Sequence, residues 1–110
     1  MSQEMKNSLK SSKVRFIIFK KKNKWYAVAL EFNIVEVGKD PDILLLSLLE
    51  AMSGYVESAI KNNVDPCVLN QKTDKKYEKI WEQLNKPKVS TLSKNFPKIY
   101  MFGKKQLVNI

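Results

Sequence analysis

Glu31, Glu36, Asp40 and Asp42 are the residues whose type and spacing most suggest catalysis. Carboxylates at the ends of neighbouring strands can hold a hard cation such as magnesium, which would activate water or polarise a phosphoryl oxygen. Each has a simpler use, however. Asp40 is placed to cap a helix and Asp42 to complement its dipole, while Glu31 and Glu36 suit the solvent side of strands. There is no histidine in the chain, which removes the usual general base, imidazole-based triads and the commonest zinc ligand. The single cysteine, Cys67, cannot close an internal disulfide; it reads as a small semi-buried hydrophobe and fits a reducing cytoplasm. No glycine-rich phosphate loop, Cys-x-x-Cys pair or base-stacking glycine-aromatic strand is present. The expectation is therefore a non-enzyme with no catalytic residue, metal or cofactor. A carboxylate-metal nuclease remnant is the weakest reading.

The element that organises the chain is a helix beginning at Asp40. Pro41 follows the cap, where its missing N–H costs nothing. Leu45, Leu48, Leu49, Met52, Tyr55, Val56, Ala59 and Ile60 recur at three- and four-residue spacing and draw one apolar stripe. Asn62 and Asn63 can supply the left-handed conformation that stops it. Leu44 and Leu46 widen the apolar surface of the first two turns; burial under the C-terminal segment is expected, since a second helix is available to cover them, and a partner contact is the alternative. Gly54 lies on the polar side with Ser47, Glu50 and Glu57.

Three strands precede this helix. Val14 to Lys20 is β-branched and aromatic, and Lys21 to Lys24 make a polar hairpin loop in which Asn23 can take positive φ. The next strand alternates. Tyr26, Val28, Leu30 and Phe32 form a bulky face expected to pack on the helix; Trp25, Ala27, Ala29 and Glu31 form a thin one. Asn33 turns into a shorter strand, Ile34 to Val37, which Gly38 ends. A second helix is expected from Asp74 to Asn85, with Tyr77, Ile80, Trp81 and Leu84 on one side. The expected fold class is α+β: an antiparallel three-stranded meander on one long helix, then a second helix and a further strand. Residues 1–12 read as a disordered basic arm, 13–85 as the folded domain, and 86–110 as a basic linker with a C-terminal strand or tail.

Charge is unevenly distributed. Residues 1–24 carry +7, residues 25–65 carry −5 and residues 66–110 carry +7, within a chain of 110 residues and net charge +9. An acidic unit between basic arms fits contact with polyanions, although lysines also simply keep a small protein soluble. The longest unbroken apolar run, Trp25 to Leu30, is too short to span a bilayer, and no secretion signal is seen, so a cytoplasmic protein is expected.

The segment from Lys20 to Ile60 resembles the N-terminal domain of HicB-type antitoxins, on the strength of Trp25–Leu30, Val37–Gly38, Asp40–Pro41 and Leu49–Glu50–Ala51. The resemblance covers about residues 14–62 and implies a partial RNase H-like fold, often with a further strand beside the first. It implies no catalysis. It implies instead a binding module for a small basic RNA-cleaving toxin of the HicA type. Many members add a DNA-binding domain, but neither a helix-turn-helix nor a ribbon-helix-helix pattern follows residue 62. Under this resemblance the acidic unit should meet the toxin through Glu31, Glu36, Glu50 and Glu57, with Trp25 as aromatic anchor. The alternative is a basic nucleic-acid-associated accessory protein whose arms contact RNA or DNA. Self-association is left open.

Overall fold

The computed structural model describes residues 6–85 and 96–108. Four antiparallel strands form one sheet in the order β3-β2-β1-β4, with β1 Ser11–Lys21, β2 Lys24–Ala29, β3 Ile34–Gly38 and β4 Lys98–Val108. Two α-helices complete it, α1 Pro41–Lys61 and α2 Lys75–Leu84, with a short 3-10 turn at Pro66–Leu69 between them. The fold is α+β, as expected.

β1 begins earlier than its β-branched core suggested. Ser11 and Ser12 pair with Val108 and Leu107, and Asn7 is buried. The part of the supposed disordered arm from Asn7 to Ser12 is therefore ordered, and residues 1–5 lie outside the described residues. The reason is local hydrogen bonding. Asn7 donates its backbone N–H to Asn70 Oδ1 (2.9 Å) and its side-chain amide to the Leu69 carbonyl (2.8 Å), while Asn70 Nδ2 donates back to the Asn7 carbonyl (2.9 Å). Of the expected linker, residues 86–95 also lie outside the described residues, and Lys98 already belongs to β4.

The turns follow from residues that tolerate positive φ. At the β1–β2 hairpin that residue is Lys22 (φ 60°), not Asn23; Asn33 (54°) turns β2 into β3, and Asn63 (47°) follows the end of α1. The start of α1 is as read. Asp40 Oδ1 accepts from the N–H groups of Asp42 (2.9 Å) and Ile43 (3.4 Å). Removing that acceptor orphans first-turn donors, so Asp40→Ala should lower stability by about 1 kcal/mol in a urea titration. An unchanged midpoint would mean that water caps the helix equally well.

Both faces of the sheet are covered, which reverses one expectation. The stripe Leu44, Leu48, Met52, Val56 and Ala59 lies on the thin face of β2, against Ala27 and Ala29, with Val14, Phe16 and Ile18 of β1. The bulky residues Val28 and Leu30 point the other way, into a second cluster with Ile17, Phe19 and Tyr77 that α2 covers. Small side chains on β2 let the α1 backbone come close, and the larger β1 side chains on the same face fill the space beside it. Phe32 lies beyond β2 and packs with the α1 side, its ring 4.8 Å from that of Tyr55.

With α2 on the opposite face, it cannot cover the outside of α1. Leu44 is buried, but Ile43 and Leu46 remain 65% and 64% exposed. By length and composition α1, mean hydropathy 1.5, is long and apolar enough to cross a membrane; here its inner stripe is packed on the sheet.

Candidate functional site

The five residues expected to hold a protein partner do not converge. Trp25 is half-buried at the margin of the α1 cluster, with Tyr100 edge-on at 5.9 Å and the Lys20 ammonium 5.8 Å from its ring centroid. It closes its own sheet rather than projecting from it. Glu31 accepts the Arg15 backbone N–H (2.8 Å) and the Arg15 Nε–H (2.5 Å), ending the β1–β2 ladder. Glu36 lies on the α1 side of β3 and accepts from the Ser47 hydroxyl. Only Glu50 and Glu57 stand exposed together, one above the other on the outer face of α1. Asp40 is occupied as the helix cap, and Asp42 accepts from the Tyr100 hydroxyl. Each of the four carboxylates first suspected of metal binding thus has another partner. No group of three or more potential metal-ligating side chains occurs among the described residues.

Two features emerge instead. The first is the outer face of α1. Ile43, Leu46, Glu50 and Glu57 follow one another at three-, four- and seven-residue steps, so they share a side of the helix opposite the Leu48–Met52 stripe. The N-terminal half of this face is apolar and the C-terminal half acidic. Gly54 lies there too, and a Cβ at that position would meet nothing within 4 Å, so it is not a point of close backbone contact. The signal for this face was present in the sequence. Ile43 falls outside the main stripe, and an isoleucine and a leucine three residues apart on the solvent side have no structural duty.

The second feature is an open cleft of about 1180 Å³ at the far end of the sheet from the β1–β2 hairpin. Its floor is the paired ends of β1 and β4, where Lys13 lies opposite Gln106 and Arg15 opposite Lys104. One wall is the chain entering α2, with Lys72, Thr73 and Lys75; another is Lys6 and Asn7. The Asn7–Asn70 clasp holds these walls in place. A second set of bonds anchors the connection behind them: Tyr55 Oη donates to the Val68 carbonyl (2.7 Å), Gln71 Nε2 lies 2.6 Å from Tyr55 Oη, and the Gln71 N–H donates to the Glu31 carbonyl (2.8 Å).

Charge in the cleft is lopsided. Among the described residues two carboxylates line it, Glu31 and Glu78; both bind Arg15, and Glu78 does so through both oxygens (2.9 and 2.6 Å). Burial lowers the pKa of Arg15, but its hydrogen bonds to Glu78 and Glu31 and their charges outweigh this and hold it above the ordinary value. The guanidinium also lies 5.6 Å from the Trp81 ring centroid. Lys6, Lys13, Lys72, Lys75 and Lys104 have no carboxylate within ion-pair distance among the described residues. The Thr73 hydroxyl is buried without a hydrogen-bond partner among them.

No family model, curated protein or solved structure matches the chain.

Cys67 also borders the cleft, and it is exposed rather than semi-buried. A hydrogen bond to the Asp65 carboxylate, with lesser contributions from desolvation and that charge, raises the thiol pKa. This disfavours the thiolate and with it a nucleophilic role.

Proposed function

We propose that this chain is a non-catalytic, HicB-like binding module that holds a small basic RNA-cleaving protein against the outer face of α1. The observation that carries the reading is the solvent-facing pair Ile43 and Leu46, adjoining Glu50 and Glu57 on the same helix face. An apolar centre beside carboxylates is complementary to a positively charged, RNA-binding partner, with the apolar contacts supplying affinity and the charges steering encounter. The position of β4 beside β1 supports the same reading, because the HicB-like resemblance implies a further strand there. The apolar anchors of this interface are Ile43 and Leu46 in place of Trp25, and its acidic residues are Glu50 and Glu57. Glu31 and Glu36 act within the fold.

The test is calorimetric titration of the full chain with a small basic RNase encoded in a neighbouring reading frame of its host. Leu46→Asp should weaken the complex by at least about 2 kcal/mol while leaving the circular dichroism spectrum intact. Glu50→Gln with Glu57→Gln should mainly slow association and flatten its salt dependence. Unchanged affinity in Leu46→Asp would place the interface elsewhere.

A further inference from the structure

We propose that the basic cleft is a second binding site, independent of the α1 face, that seats the phosphodiester backbone of single-stranded nucleic acid. Three observations converge on this ligand. First, lysines stand on the floor (Lys13, Lys104) and on both walls (Lys72 and Lys75; Lys6) of one concavity. Cations that face each other across a cleft grip a strand lying between them. A duplex carries its phosphates on a convex outer surface and would meet only the rim.

Second, the acidic residues of the cleft offset these lysines only slightly, since Glu31 and Glu78 are both bonded to Arg15 and the three together leave a single negative charge. Of the amides in the remaining lining, Asn70 and Gln71 spend their NH2 hydrogens within the fold, whereas Gln106, with one bond to Ser11 Oγ (2.7 Å), keeps a second amide hydrogen. Such a donor can serve a phosphate or sugar oxygen and carries no requirement for a particular base.

Third, the volume of about 1180 Å³ exceeds the roughly 300–1,000 Å³ usual for small-molecule pockets, and the cleft is open to solvent, so a length of polymer fits better than a single small anion. Among the described residues no aromatic side chain lines it, so bases have no stacking platform, contacts fall on the backbone, and binding is independent of sequence. RNA and DNA share the chemistry recognised here.

The experiment is fluorescence anisotropy of a labelled oligouridine and an oligothymidine of equal length with the full chain, over a series of salt concentrations. Each phosphate neutralised on a single strand contributes about −0.7 to the slope of log K against log salt, so five lysines give a slope near −3.5. Lys13→Ala with Lys104→Ala should reduce its magnitude by about 1.4 and weaken binding by more than about tenfold at low salt. Lys22→Ala with Lys24→Ala, at the opposite end of β1, should change affinity less than about twofold. Lys13→Gln with Lys104→Gln repeats the test with longer polar side chains should the alanine pair fold poorly. Leu46→Asp should leave strand binding untouched, which separates this site from the α1 face. Several results would overturn the proposal: no salt-dependent binding, equal losses in the hairpin-lysine control, unaffected binding in the cleft variants, or a duplex of the same length binding as tightly.

Discussion

Leu48→Ala is expected to destabilise the protein by about 2–5 kcal/mol, whereas Leu46→Ala, two residues earlier, should fall within about half a kcal/mol of the parent. Leu48 is fully buried between α1 and the sheet, in a cluster with Ala27, Ala29 and Met52. Truncating it removes apolar contact area and leaves a cavity, because the alanines of β2 have nothing with which to fill the space. Leu46 is mostly in water already. Urea denaturation should therefore show a large drop in midpoint for the first variant and almost none for the second, with similar slopes. Ala27→Leu tests the same packing from the other side. Forcing three more carbons under the helix should cost about 1–3 kcal/mol. Tolerance of Ala27→Leu together with a mild effect of Leu48→Ala would mean that α1 lies on the bulky face of β2 after all.

That assignment marks the boundary of what the sequence makes legible. α1 could be read almost to the residue because its signals are local: Asp40, Pro41 and Asp42 at one end, Asn62 and Asn63 at the other, and a stripe between them. The alternation of β2 was equally plain, but alternation says only that two faces differ. It does not say which one a helix covers. The informative signal lay one strand earlier. Phe16, Ile17, Ile18 and Phe19 are four consecutive large apolar residues, and such a run fits a strand covered on both faces. All four are indeed buried. Taken seriously, that run would have sent α2 to the far side of the sheet and left Leu46 uncovered. The cleft is a different case. Lys6, Lys13, Lys72, Lys75 and Lys104 come from both basic arms, and only the β1–β4 pairing and the Asn7–Asn70 clasp bring them together. Composition revealed the basic arms; no local rule reveals that they share one concavity.

Arg15 is the residue on which that concavity turns, and Arg15→Met should cost about 1.5–3 kcal/mol. Its guanidinium binds Glu31 on one side and both oxygens of Glu78 on the other, joining the β1–β2 end to α2. With side chains a fifth to a third exposed, the loss should fall short of the 3–5 kcal/mol or so typical of breaking a fully buried pair. Arg15→Lys should recover little, since an ammonium cannot serve both carboxylates in the fork geometry. A folded-state pKa raised above the unfolded value means that the stabilisation is complete below the unfolded pKa and lost only as pH rises through the folded one. For arginine both lie far above neutrality, so titration of Arg15 itself should add no slope to stability across neutral pH. A double-mutant cycle isolates the pair: Glu78→Gln should be costly in the parent and nearly neutral in Arg15→Met, giving a coupling of about 0.5–3 kcal/mol. The same cycle reaches the cleft. Arg15→Met leaves Glu31 and Glu78 uncompensated beside the lysines, so it should weaken single-strand binding, and adding Glu78→Gln should restore part of the loss. If Glu78→Gln costs as much without Arg15 as with it, the ion pair contributes nothing and α2 is held by the packing of Tyr77, Ile80, Trp81 and Leu84 on the Ile17, Phe19, Val28 and Leu30 cluster.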